Sequence, residues 1–152
     1  MMAVPVTPDP RTDVSSVVRD VVDTIREETG CAVSWSAPEG AVARADHRVL
    51  HPVLEDLVEN AVVHTSRPDP GVTVRVRETE NGSEGTAFEV RDDNERIPDI
   101  EIDSIRAGDE TALQHGTGIG LWLVQWCVTT LNGTLTFEYD DGNVITVVLP
   151  AS

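Results

Sequence analysis

Three short segments of the sequence carry side chains whose types and spacing suit chemistry. The first runs from Leu50 to Thr65 with helical periodicity. On a wheel of about 100° per residue, Asn60 falls within about 20° of Val49 and Val53. That places it in an apolar stripe with Leu50, Leu54, Leu57 and Ala61. An amide there is costly unless it is bonded, and Asp56 one turn earlier would let both side-chain oxygens reach one cation. In the second segment Asp92 ends a predicted strand and opens a polar run to Asp99. A carboxylate at the mouth of a sheet can accept a hydrogen bond from the amino group of an adenine base. The third segment sets Gly116, Gly118 and Gly120 just before an apolar helix. Glycines there let backbone approach phosphate oxygens, and a helix start supplies free N–H groups and positive potential. Each segment alone also fits a plainer role: an Asn tied to backbone with Asp56 solvated, an acidic turn, or glycines that end a loop.

The elements that would position these residues follow from period and punctuation. Thr12 or Asp13 caps a predicted helix through Glu28, with Val14, Val17, Val18, Val21, Val22 and Ile25 on its apolar face and Gly30 ending it. Residues 31–36 read as a strand and 41–45 as its hairpin partner across Pro38-Glu39-Gly40. Asp46 caps a second helix to about His64. Strands are predicted at 72–78 and 86–91 around an Asn81-Gly82 turn, and at 133–139 and 143–149. The stretch from Asp92 to Gly116 reads as irregular, and a third helix covers 119–131. Residues 1–11 read as a lead-in and 12–150 as one domain. The expected class is α+β: a two-layer sandwich of about three helices on a mixed, mostly antiparallel sheet.

Composition narrows the partners. The 152 residues carry 27 acidic and 11 basic side chains for a net charge of −16, and every basic one is Arg. A Lys-free, strongly acidic chain suggests a proteome adapted to high salt, where self-repulsion is screened. It argues against nucleic acid and anionic membrane, both of which need a basic footprint. No stretch approaches the ~20 apolar residues of a membrane span, and no signal peptide is visible, so a soluble cytoplasmic domain is expected. Without Lys a P-loop is excluded, and the glycine spacing is not a dinucleotide fingerprint. Cys31 and Cys127 lie in apolar segments and read as buried free thiols, and the four histidines have no metal spacing.

In this order and spacing the three segments resemble the N, G1 and G2 boxes of the histidine-kinase branch of the Bergerat (GHKL) ATPases. The similarity runs from about residue 12 to Pro150 and is most specific from His115 to Val124 and from Leu54 to His64. It implies the Bergerat fold, in a form like that of kinases from salt-loving archaea. It also implies binding of ATP with Mg²⁺ and transfer of the γ-phosphoryl group to a histidine. By the same resemblance Asn60 holds Mg²⁺, helped by Asp56, and Glu55 assists the transfer. Val63 stands near a position that often holds Lys, leaving His64 as a candidate phosphate contact. Asp92 reads the adenine amino group. Asn94 and Arg96 occupy two positions that are usually glycine, and Ile97 follows in the family's manner. Asn tolerates a left-handed backbone; Arg96 either clashes or brings a guanidinium to the phosphates. Restoring Gly at both should raise nucleotide affinity if they impair the site. Gly116, Thr117, Gly118, Ile119, Gly120 and Leu121 form the phosphate loop, and residues 108–111 belong to a mobile lid.

None of His47, His51, His64 or His115 lies in a phosphoacceptor motif. The expected partner is therefore a separate dimerisation domain bearing the histidine, and indirectly a response regulator. The chain reads as an excised catalytic domain or a short protein acting on a partner. Two other readings stand beside it: a degenerate domain used for interaction or nucleotide sensing, and an anti-sigma-type kinase that phosphorylates Ser.

Overall fold

The computed structural model describes residues 11–63, 71–79, 85–94, 96–107 and 119–150. The first helix, α1 (Val14–Thr29), starts where Asp13 leaves the extended region and its carboxylate accepts the Ser16 N–H at 3.3 Å. It ends at Gly30, whose φ of 72° closes a left-handed cap with its N–H on the Arg26 carbonyl at 2.9 Å. The six apolar positions expected to face inward are all buried, each stabilising the fold by roughly 1.5–3 kcal/mol.

The second helix, α2 (His47–Val63), is capped by Asp46, whose Oδ1 accepts the Arg48 N–H at 2.8 Å. Bonding to the Arg48 side chain first, and to its backbone second, holds the Asp46 carboxyl down at about 2. Pro52 lies inside this helix, yet α2 continues for more than two turns beyond it. Leu50, Leu54, Leu57, Val58 and Ala61 fill the core under it.

The expected hairpin between residues 31–36 and 41–45 does not form. Strand β2 (Val33–Ser36) pairs in parallel with β4 (Val72–Thr79), Val33 opposite Val72 and Trp35 opposite Val74. Strand β3 (Val42–Ala43) pairs instead with β1 (Thr12–Asp13), just ahead of α1. Ala41, Ala43 and Ala45 are all buried, and the segment is tied to β1 and to the first residue of α1. The Val14 N–H donates to the Ala41 carbonyl at 3.0 Å and Thr12 Oγ1 to the Ala45 carbonyl at 2.7 Å. The turn at Gly40 (φ 76°) redirects the chain without laying it back on β2. The parallel pair β2–β4 then needs a crossover, and α2 lies in it.

β4 and β5 (Gly85–Arg91) form the expected antiparallel pair, with Val74 opposite Val90 and Val76 opposite Phe88. β6 (Thr134–Tyr139) and β7 (Asn143–Pro150) form the closing hairpin. β7 inserts between β5 and β6, giving the order β2-β4-β5-β7-β6 with one parallel pair. The stretch expected to be irregular contains a short helix, α3 (Asp99–Ala107), anchored by the buried Ile105. The last helix, α4 (Ile119–Thr130), packs on α2 through Leu121, Val124 and Val128. Three longer helices on one face of a mixed sheet, around one core, make the expected α+β sandwich. Among the described residues no helix is long and apolar enough to cross a membrane.

Candidate functional site

Asn60 sits on the flank of α2 and is half-buried. Its wheel position beside Val49 and Val53 is the border of the core, since Val53 is buried and Val49 only half so. Asp56 lies one turn earlier on the same flank, also half-buried. Burial first, then the charges of Glu59 and Glu55, push its carboxyl above the usual carboxylate range. The thiol of Cys127 on α4 is pushed up by burial and by the charge of Asp56, so Asp56 stands at the α2–α4 seam. Cys31 and Cys127 are free but only half-buried, against the expectation of full burial. Glu55 is half-buried, its Oε2 3.7 Å from His51 Nδ1.

Asp92 opens the loop after β5, and that loop is heavily bonded. Asp92 Oδ1 accepts the Asn94 N–H at 3.0 Å, the Asn143 N–H at 2.9 Å and Asn143 Nδ2 at 3.2 Å. Asn143 Oδ1 accepts the Ile97 N–H at 2.9 Å, closing the far end of the loop. Asn94 Nδ2 donates to the carbonyl of Ala61 at 2.9 Å, the residue after Asn60. One chain of bonds therefore joins the Asp92 loop to the last turn of α2.

Asn94 is not left-handed, because Asn132 and Asp141 are the non-glycine residues with positive φ among those described. The bond to Ala61, and not a tolerance of αL backbone, accounts for the side chain here. The Arg96 guanidinium is exposed and rests 3.4 Å from Asp99 Oδ1, at the start of α3.

Asn143 was missed in the sequence. Its signal was an amide, following Gly142, at the head of a mostly apolar strand; it is only 5% exposed. Gly142 has φ 152°, and a Cβ there would run into the Asp92 carbonyl oxygen and lie 3.0 Å from Asp93 Cα. A cleft of about 160 Å³ opens beside this loop, between α3 and the sheet. Arg96, Ile97, Phe137, Asn143 and Ile145 line it, while Asp92 and Asn60 do not.

Of the phosphate loop, Gly116, Thr117 and Gly118 lie outside the described residues, as do His64 and residues 108–111. Ile119 and Gly120 open α4, and the Leu121 side chain is buried in the core. No group of three or more His, Cys, Asp or Glu that could hold a metal occurs among the described residues. The oxygen pair Asp56 and Asn60 nonetheless fits Mg²⁺, which commonly takes one or two protein oxygens and completes its shell with phosphates and water.

The sandwich thus carries an acidic side chain, Asp92, at the mouth of its sheet, tied through Asn94 to the helix that bears Asp56 and Asn60. Residues 45–152 match the family described as histidine kinase-, DNA gyrase B- and HSP90-like ATPase, and the chain belongs to that family. No curated protein sequence matches the chain. Among solved structures, it is similar to the nucleotide-free catalytic domain of the histidine kinase ThkA. That match has TM-score 0.78 and 18% identity, covering 95% of this chain and 96% of that one. The mycobacterial sensor histidine kinase MprB follows with TM-score 0.77 and 21% identity, covering 93% and 97%. Full-length ShkA in complex with AMPPNP matches with TM-score 0.73 and 19% identity over 97% of this chain, which spans 32% of that protein. The fold is thus that of histidine-kinase catalytic domains.

Proposed function

We propose that residues 12–150 form the ATP-binding catalytic domain of a two-component histidine kinase. It takes Mg·ATP and passes the γ-phosphoryl group to a histidine on a separate dimerisation domain, which in turn serves a response regulator. The single observation that carries this reading is the bonded chain Asn143–Asp92–Asn94–Ala61. It fixes a base-reading carboxylate relative to the helix that carries the cation-binding amide.

In this reading Asp92 accepts the adenine amino group and Ile97 borders the base. Asn60 and Asp56 hold the ion, which bridges and neutralises phosphate oxygens. Gly116, Thr117, Gly118, Ile119, Gly120 and Leu121 meet the phosphates through backbone, with His64 as a side-chain contact, and Glu55 assists the transfer. Asn94 borders the site, and Arg96 reaches toward it from its exposed pairing with Asp99. The protein contributes positioning and charge neutralisation more than covalent chemistry. The all-Arg, acidic surface fits a haloarchaeal, cytoplasmic setting, and the domain needs neither nucleic acid nor a membrane surface.

Calorimetry with Mg·ATP in molar KCl tests the reading on the whole chain. Mg²⁺-dependent binding, followed by acid-labile phosphate on an added phosphoacceptor domain, is the expected result. A well-folded chain that takes up no ATP rejects it. Asn94 and Arg96, where related domains carry glycine, favour a second reading as an interaction or sensing module. That module would bind nucleotide without transferring phosphate to any histidine domain supplied.

A further inference from the structure

The carboxamide of Asn143 touches both ends of the Asp92 loop, one through its amide nitrogen and the other through its oxygen. Nδ2 donates to Asp92 Oδ1 at 3.2 Å, and Oδ1 accepts the Ile97 N–H at 2.9 Å. Chemistry fixes this orientation, because a carboxylate only accepts and a backbone N–H only donates. The backbone of Asn143 adds two more links to Asp92. Its N–H donates to Oδ1 at 2.9 Å, and its carbonyl accepts the Asp92 N–H at 3.1 Å. Asp92 Oδ1 thus meets three N–H groups, counting that of Asn94. Among the described residues no donor meets Oδ2, so the carboxylate is held by one oxygen and offers the other.

We infer that Asn143 is the positioning residue of the base-reading carboxylate, and so sets the preference for a base that bears an exocyclic amino group. The inference rests on the reading of Asp92 given above. Three donors on one oxygen fix the rotamer, and the strand fixes the donors. Asn143 pairs with Tyr139 in the β6–β7 ladder, and Gly142 lets the chain pass close over Asp92. A carboxylate aimed in advance spends no binding energy on being ordered. The free oxygen then accepts an N–H and penalises a base that brings none.

The test compares ATP with purine riboside triphosphate, identical except that hydrogen replaces the amino group, both with Mg²⁺ in high salt. Wild type, Asn143→Ala and Asn143→Asp are measured. Asn143→Asp keeps the size and the acceptor for Ile97 but turns the donor facing Asp92 into an acceptor. Wild type should prefer ATP by roughly 10–100-fold, as expected when a polar group is left unpaired by the wrong ligand. In both variants the preference should fall to within about threefold, through weaker ATP binding with the analogue little changed. Hydrogen exchange of the nucleotide-free protein gives a second readout. The Ile97 amide should quicken in Asn143→Ala and stay slow in Asn143→Asp.

Equal weakening of both nucleotides would make Asn143 a packing residue and overturn the inference. A wild type that binds both nucleotides equally also overturns it, while leaving ATP binding standing. A folded wild type that binds neither removes the proposed function and this inference together. If neither variant folds, Asn143 serves the fold alone and the inference fails.

Discussion

The Asp92 loop and the acidic flank of α2 lie a few bonds apart and are built on opposite principles. In the loop, Asp92 Oδ1 collects three N–H groups and Asn143 closes both ends. On the flank, Asp56 stands half-buried near Glu55 and Glu59, its carboxyl pushed up by burial and by their charges, and Asn60 makes no side-chain hydrogen bond to a described residue. The loop is held by its own hydrogen bonds before any ligand arrives, with Asp92 bonded through Oδ1. The flank is held in a state that a cation would relieve. A rigid acceptor suits reading a neutral base, whose hydrogen bonds depend on direction. A strained anionic patch suits an ion, whose attraction depends on distance and charge.

The loop should break most severely at Gly142, where any side chain meets the backbone of Asp92. Gly142→Ala combines that collision with an unfavourable φ, and should cost about 3 kcal/mol or more. Urea denaturation measures this, and a loss below about 1 kcal/mol would mean the loop is less constrained than its geometry indicates. The flank should respond in the opposite manner. Asn60→Ala removes no side-chain hydrogen bond to a described residue, so stability should change by less than about 0.5 kcal/mol. Affinity for Mg·ATP should nonetheless fall by about 100-fold, as read by calorimetry. A large loss of stability with unchanged affinity would place Asn60 in the fold and not in the site.

Asn94 joins the two regions and sharpens the contrast. Glycine at this position should be an improvement if Asn merely fills space. The bond from Asn94 Nδ2 to the Ala61 carbonyl says otherwise. Asn94→Gly should lose about 1 kcal/mol with that bond and about 0.5–1 kcal/mol more in backbone entropy. Nucleotide affinity should drop a few-fold as the loop comes loose from α2. A rise in affinity would reinstate the view that Asn94 obstructs the site.

How much of this was legible in the sequence follows from the range of each interaction. The apolar face of α1, the caps at Asp13 and Gly30, and the β4–β5 and β6–β7 pairs are written in neighbouring residues, so periodicity and turn chemistry found them. The placement of β3 was not, because its partners, Thr12, Asp13 and Val14, lie far from it in the chain. Helix α3 hid in a polar stretch, where the buried Ile105 gives too little apolar periodicity to reveal it. Candidate site residues stood out where their types were unusual, as with Asn60 and Asp92. Asn143 did not stand out, since its role depends on a residue 51 positions away.

The gentlest way to separate loop from flank is Asp56→Asn, which removes one negative charge and keeps the shape. A carboxyl raised by burial first and by Glu59 and Glu55 after it is more easily protonated in the folded chain than in the unfolded one. Wild-type stability should therefore fall as pH rises from the ordinary carboxylate value, near 4, through the raised folded value, since the native state binds the extra proton there. Asp56→Asn lacks that component. At neutral pH without metal its melting temperature should be higher by roughly 1–3 °C, a small gain because water and salt screen a half-buried charge. Adding Mg·ATP should reverse the order, because the wild type gains a carboxylate ligand for the ion and the variant does not. A variant that melts lower than wild type in the absence of metal would show that Asp56 belongs with the bonded loop and not with the flank.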